Sequence, residues 1–286
     1  MISAYSPAHI TCFFQPAVVQ DELASGSRGV GLRLEAGSEA TAEEKLHGRT
    51  GMVVDGKPSD VPVIRMVAEI LAPGRSFDIR IDNRLPPGQG FGMSAAGAVS
   101  VALCIAEITG KDSREAFEAA HIAEIRTKGG LGDVSAICCL SPQPVRIAPG
   151  LPPRGTVVGM DTGIKDVSVA VLGPRLDTPS VIGDADLSAR ISDSGRRHID
   201  AYAENPSTGA LFSHSNAFSS ELGLESAAVS AALADLRAEG ISAGMCMLGN
   251  SIFAIAPAGK VSRVLDGVPV RGTRTTGAPA AIIRKA

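Results

Sequence analysis

The sequence contains no tryptophan, two tyrosines and eight phenylalanines. Recognition of bases or sugars by stacking on aromatic platforms is therefore not its main means of binding. Lysines number seven, the formal net charge is −3 and the isoelectric point is near 6.0. No basic stripe is present to attract nucleic acid. No run reaches the ~18 uninterrupted apolar residues of a membrane span. The opening Met1-Ile2-Ser3-Ala4-Tyr5-Ser6-Pro7 lacks the basic and apolar regions of a secretion signal. The five cysteines (Cys12, Cys104, Cys138, Cys139, Cys246) show no paired metal-binding spacing. An odd number without a leader reads as reduced, buried thiols in a cytoplasmic protein. Internal repeats and low-complexity tails are also missing.

What is present is a chain of 286 residues, 44% hydrophobic, long enough for one large domain or two ordinary ones. It is organised around residues 85–105. A turn rich in proline and glycine, Leu85-Pro86-Pro87-Gly88-Gln89-Gly90-Phe91-Gly92, passes into Met93-Ser94-Ala95-Ala96-Gly97-Ala98-Val99 and onward. Gly90 and Gly92 permit a sharp turn and leave backbone N–H groups uncovered. Ser94 stands where the helix should begin, as a cap or first-turn residue. A helix N-terminus with bare amides is an anion site, and the small residues let a large anion approach. No Gly-Lys-Ser/Thr follows, so this is not a Walker loop. Nor does it open the first strand–helix unit, as a dinucleotide-binding fingerprint would.

Around this stretch the pattern predicts a strand from Ser3 to Gln15 interrupted at Pro7, and a strand from Val30. Ala36 to Lys45 is polar and reads as loop. A strand at 50–54, a helix at 62–71 and an alternating strand at 76–83 lead to the loop. Ser113 to Arg126 reads as a helix capped by Ser113. On it His121 and Glu124, three apart, project from nearly the same side. A glutamate buried there would need a partner or a metal, whereas an exposed one needs nothing. Gly129, Gly130 and Gly132 then crowd Asp133, which alone could be a cap, a turn residue or a held carboxylate. The run Ile137 to Leu140 reads as buried, and Arg146 sits alone between apolar residues. Pro149-Gly150-Leu151-Pro152-Pro153 is the best linker. The boundary expected there divides the chain into residues 1–153 and 154–286. Beyond it come strands at 157–160 and 167–172 and helices at 185–193, 206–217 and 225–239. A glycine-containing hairpin follows, from Ser242 to Ile255. Strands with helices on one side suggest an α+β arrangement.

Pro86, Gly90, Phe91, Gly92, Ser94, Ala95 and Ala96 fall on Pro-x-x-x-Gly-Leu-Gly-Ser-Ser-Ala, the phosphate loop of the GHMP kinases. Met93 departs from it, replacing the first serine. The Ser6–Phe14 segment, the loop, the Glu124 helix, the glycine-flanked Asp133 and the eroded 242–255 hairpin occur in that family's order, so the whole chain resembles a GHMP kinase. The resemblance implies an α+β fold of two domains. The first is ribosomal-protein-like and the second ferredoxin-like. It implies ATP with Mg2+, the phosphates lying on Pro87, Gly88, Gln89, Gly90, Phe91, Gly92, Met93, Ser94 and Ala95. Ser94 and Glu124 would hold the metal, and Asp133 would be the catalytic carboxylate. His9-Ile10-Thr11, Gly26-Ser27-Arg28-Gly29 and Gly132-Asp133-Val134 resemble one branch, the archaeal pantoate kinases. That branch implies pantoate as acceptor, phosphorylated on its terminal hydroxyl to 4-phosphopantoate for coenzyme A synthesis. Ser27, His121, Arg146 and Thr178 are the implied substrate contacts, with Arg28 competing with Arg146. Taken singly, each has an ordinary structural explanation. Homoserine-, shikimate- or mevalonate-type acceptors stay open, as does a silent nucleotide-binding protein, because of Met93 and the eroded hairpin. Intact Ser94, Glu124 and Asp133 oppose silence. Family habit implies a homodimer.

Overall fold

Alternation in the first 45 residues builds one long antiparallel hairpin. Strand β1 (Ile2–Ala17) pairs along its length with β2 (Gly26–Lys45) in the computed structural model, which describes residues 1–175 and 185–285. Pro7 does not end β1. It sits at a bulge between Ser6 and Ala8, where a missing N–H is tolerated.

Residues 36–45 are not the expected loop but the second half of β2. Ser38, Ala40 and Ala42 are buried, with Glu39, Thr41 and Glu43 between them. The alternation is genuine, but its inward members are small and so the stretch reads as polar. They are small because helix α2 (Met93–Thr109) packs on this strand, close enough for Cys104 Sγ to approach the Ala40 carbonyl at 3.5 Å. Helix α2 is apolar nearly all round, as a helix enclosed on every side must be.

Two further helices pack with α2: α1 (Pro62–Leu71) and α3 (Ser113–Thr127). The cap of α3 is Asp112 rather than the expected Ser113. Its carboxylate accepts from Glu115 N at 2.8 Å while Glu115 accepts from Asp112 N at 2.9 Å. Three residues after Ser113 stands Ala116, which cannot return the bond, so the reciprocal box forms one residue earlier. The short α4 (Asp133–Cys138) follows. Leu140 beyond it is 69% exposed, not buried as expected, because the helix ends at Cys139 and the turn before Pro142 swings outward.

The first sheet also contains β3 (Gly51–Val54), β4 (Lys57–Pro58), β5 (Ser76–Asn83), β6 (Gln143–Ala148), β7 (Thr156–Met160) and β12 (Ala281–Lys285). Its order is β12-β1-β2-β5-β3-β4, with β6 joining the near end of β2 to β7. Strand β7, beyond the Pro-rich segment at 149–153, pairs with β6 of this sheet. A second antiparallel sheet runs β11-β8-β10-β9, from β8 (Asp166–Val171), β9 (Ala243–Met245), β10 (Ser251–Ala254) and β11 (Val270–Arg274). With it come α5 (Ala185–Glu204), α6 (Thr208–Glu221), α7 (Ala227–Ala238) and α8 (Ala258–Val264).

Helix α5 runs past Asp193, where the expected helix ends, to Glu204. Gly195 faces β1: a Cβ there would lie 2.0 Å from the Phe14 carbonyl oxygen. Gly195→Ala should therefore cost ~1–3 kcal/mol by overpacking. Gly209→Ala, with nothing within 4 Å of the added carbon, should gain ~0.5–1 kcal/mol. Urea unfolding midpoints of the two variants check this. An unchanged midpoint for Gly195→Ala would mean the helix does not lie against β1 as described.

Candidate functional site

The turn before α2, the glycine segment before α4, and β1 converge on one cavity of about 110 Å3. Strand alternation puts His9 and Thr11 on one face of β1. A bulge between Thr11 and Phe13 then resets the register, and Thr11 and Phe14 both line the cavity. Gly88, Gly90, Phe91, Gly92, Met93 and Ser94 form the second wall. Gly90 and Gly92 have φ of 74° and 63°. A side chain at Gly90 would strike the Cys246 and Met247 carbonyls at 2.7 and 2.8 Å, and one at Gly92 the His9 carbonyl at 2.7 Å. Gly92 is the N-cap of α2, and no side chain caps the helix or places a carboxylate in its first turn. The first amides of α2 are thus left for a bound anion.

Two carboxylates face these amides. Ser94 Oγ donates to Glu124 Oε1 at 2.5 Å. Glu124 is 2% exposed, and its Oε2 is buried with no hydrogen-bond partner. Burial pushes its carboxyl up to about 7, with the Ser94 bond opposing and the Asp133 charge adding.

Asp133, with its side chain 25% exposed, accepts from His9 Nδ1 at 2.6 Å. His9 is fully buried, and Arg146 Nη1 lies 3.4 Å from its other ring nitrogen, Nε2. A guanidinium can only donate, so Nε2 must accept and the ring proton must sit on Nδ1. Burial also lowers the His9 pKa, in keeping with a neutral ring. The result is a one-way chain of donors from Arg146 to His9 to Asp133. Burial acts to raise the Asp133 pKa, but the His9 hydrogen bond and the positive charge behind it outweigh burial and keep it below the usual carboxylate range. Burial brings Arg146 down to about 10, still a full cation at neutral pH. Space for the chain comes from β2. Added side chains at Gly29 and Gly31 would meet Arg146 Nη2 at 2.4 Å and His9 Nε2 at 2.2 Å.

The match to known proteins extends over nearly the whole chain. Residues 61–140 match the family model for the GHMP kinases N terminal domain. A curated pantoate kinase of Thermococcus kodakarensis is 31% identical over 89% of this chain and 87% of its own length. The chain belongs to the GHMP kinase family. A second curated pantoate kinase, from Methanospirillum hungatei, is 27% identical over 98% of this chain and 96% of its own. Among solved structures, one described as a phosphotransferase related to the CoA biosynthesis pathway superposes with a TM-score of 0.89 at 27% identity. It covers 99% of this chain and 98% of its own. A mevalonate kinase at 13% identity, with a TM-score of 0.67 over 96% of this chain and 99% of its own, shares the fold.

As a GHMP kinase the chain uses its family positions unevenly. Ser27, Ser94, Glu124 and Asp133 line the cavity together with loop residues 88 and 90–94. Pro87, Gln89 and Ala95 do not. Gln89 turns the other way, donating to the Gly173 carbonyl at 3.0 Å. Ser94 does not cap α2; it is the helix's second residue and serves Glu124 instead. Arg146 lies behind the wall, its Nε donating to the Ser27 carbonyl at 3.2 Å and its Nη2 to Thr11 Oγ1 at 3.4 Å. Arg28 points away, to Ile147 O, Gln15 and Asp200. His121 is outside the cavity wall, its Nε2 2.9 Å from the Ser25 carbonyl and 3.1 Å from that of Glu22. Thr178 lies outside the described residues. In the sequence His9 stands out only as part of the His9-Ile10-Thr11 motif. An ionisable side chain in an otherwise apolar inward strand was the signal for its role.

Glu124 generates a stability prediction. Its carboxyl, raised above the ordinary 4.5 to about 7, binds a proton more tightly folded than unfolded. The ligand-free fold therefore loses stability as pH rises from the unfolded value through about 7, then levels off. The shift corresponds to a loss on the order of 3 kcal/mol. Glu124→Gln should raise the thermal midpoint of the ligand-free protein at alkaline pH and leave it nearly unchanged in mild acid. Equal effects at both pH values would contradict the buried, unpaired Oε2.

Proposed function

We propose that the chain is a pantoate kinase. It transfers the γ-phosphoryl group of ATP to the terminal hydroxyl of pantoate, giving 4-phosphopantoate for coenzyme A synthesis. The observation carrying this reading is Asp133, ionised by its donor chain and facing the bare N-terminus of α2 across one cavity. Pantoate kinase likeness at 31% identity supports the acceptor.

The ATP phosphates lie along the loop amides and the N-terminus of α2. The hydroxyl of pantoate hydrogen-bonds to Asp133. A carboxylate held below its usual range cannot strip an alcohol of its proton beforehand. Asp133 therefore orients the hydroxyl and takes the proton as the bond to phosphorus forms, as suits a loose transition state. The carboxylate of pantoate sits at the Ser27 end, where Arg146 supplies positive charge from behind the wall. His121 works one layer further out by holding the Glu22 and Ser25 carbonyls, and so the segment leading to Ser27. Thr178 completes the proposed contacts on family likeness alone.

Mg2+ fits the oxygens present. Ser94 Oγ and the unpartnered Glu124 Oε2 are hard donors, and among the described residues no group of three or more His, Cys, Asp or Glu could hold a metal. Magnesium typically takes one or two protein oxygens, phosphates completing its shell. When bound it would neutralise charge on the polyphosphate. Among the described residues no helix is long and apolar enough to cross a membrane. The five cysteines are free thiols, which supports placing the reaction in the cytoplasm. The family's homodimer is carried as part of the proposal.

The test is ADP release with ATP and magnesium across pantoate, pantothenate, homoserine, shikimate and mevalonate. Turnover should require pantoate. Asp133→Asn should lower kcat by roughly 10²–10⁴-fold while ATP affinity holds. Turnover with a different acceptor alone would sink the assignment of pantoate and its contacts.

A further inference from the structure

The phosphate loop from Leu85 to Ala96 contains no lysine or arginine. Among the described residues none lines the cavity either, and the charged members there, Glu124 and Asp133, are both carboxylates. A polyphosphate brought against two carboxylates needs positive charge beyond that of backbone amides. Arg146 cannot approach it, since all its hydrogen bonds go to Ser27, His9 and Thr11 behind the wall.

One guanidinium reaches the loop from the second sheet. After β8 the chain passes by the phosphate loop and the β9–β10 hairpin and is pinned three times, once by Gln89 of the loop and twice by Asn250 of the hairpin. Leu172 N donates to the Asn250 carbonyl at 2.7 Å. Gln89 Nε2 donates to the Gly173 carbonyl at 3.0 Å, and Asn250 Nδ2 to the Pro174 carbonyl at 2.8 Å. Gln89 and Asn250 are each 6% exposed, so this clamp is internal. The residue it delivers is Arg175. A Cβ built on Gly88 would lie 2.3 Å from Arg175 Nε and 3.0 Å from its Cζ. The guanidinium is thus seated against the bare face of a cavity-lining loop glycine. Arg175 is exposed and has no hydrogen bond or ion pair among the described residues. An arginine held in place by its backbone with its donors unspent is prepared for an anion.

We propose that Arg175 is the cation of the nucleotide site, donating to the polyphosphate of a nucleoside triphosphate laid along residues 88–94. The proposal rests on the kinase reading for the nucleotide, and not on the identity of the acceptor. It also gives the Gln89 side chain a purpose. Gln89 faces away from the cavity because its task is to fix the segment that carries Arg175.

The test uses the full chain with Arg175→Gln, Arg175→Lys and a control, Arg114→Gln, on the outer face of α3. Binding of ATP, ADP and AMP is measured by calorimetry in magnesium. Arg175→Gln should weaken ATP by about tenfold or more and leave AMP within about twofold, with the lysine variant in between. The control should match the parent protein for all three. ATP binding by Arg175→Gln within about twofold of the parent would overturn the proposal. So would an equal loss for AMP and ATP, which marks a distorted loop rather than a lost phosphate contact. A parent protein that binds no nucleotide would overturn this proposal and the kinase reading together. Selective loss of ATP in a protein that turns over no pantoate would uphold Arg175 and sink only the acceptor.

Discussion

The hydrogen bond from His9 to Asp133 is the constraint around which the site is built. Partly buried, with a quarter of its side chain exposed, Asp133 should hold a proton more tightly than in water, because burial disfavours its charge. It stays ionised because a neutral imidazole donates to it, and because that imidazole is itself held by a guanidinium. Each member depends on the others. Arg146 fixes the tautomer of His9, His9 fixes the charge of Asp133, and Asp133 offsets the burial of Arg146. The glycines at 29 and 31 leave room for this chain and for the close approach of the Phe13 and Ile10 carbonyls of β1. Glu124, a short distance along the same cavity, shows the opposite behaviour. It has a single hydroxyl partner, no cation, and a carboxyl raised to about 7. Two carboxylates in one cavity are therefore driven apart by their surroundings, Asp133 toward the ionised form and Glu124 toward the protonated one, a separation that acid–base sites commonly exploit.

The second constraint is the phosphate loop, which is held from both sheets. His9 N donates to the Phe91 carbonyl at 3.2 Å from the first. Ser251 Oγ donates to the Gln89 carbonyl at 2.5 Å from the second. The β9–β10 hairpin passes so close to Gly90 that no side chain would fit between them. The hairpin with the eroded glycine pattern thus packs directly on the loop. Met247 and Leu248 at its tip line the cavity opposite the loop. A loop fixed on both sides holds its amides ready before an anion arrives, which is what electrostatic preorganisation requires.

Much of this was legible in the residues. The loop at 85–96, Glu124 on its helix and Asp133 among its glycines could be named because their chemistry is local. Each carries its own neighbours in sequence. What could not be read was anything set by a partner far along the chain. Arg146 reads as a free cation for a substrate carboxylate, yet the structure spends it on His9, which is 137 residues away. Ala36 to Lys45 reads as loop because its inward residues are small, and they are small because of a helix some 50 residues later. The helix expected to end at Asp193 continues to Glu204, because the Phe14 carbonyl that Gly195 accommodates lies in the first strand. In each case local propensity was overridden by close packing across long sequence separations.

A neutral His9, protonated on Nδ1, keeps Asp133 ionised. Nitrogen-15 NMR of the His9 ring reads this directly, since protonated and bare ring nitrogens resonate far apart. The expected result is a protonated Nδ1 and a bare Nε2, unchanged between about pH 6 and 8. A doubly protonated ring in that range, or a proton on Nε2 alone, would contradict the donor chain and remove the basis for assigning Asp133 as the proton acceptor.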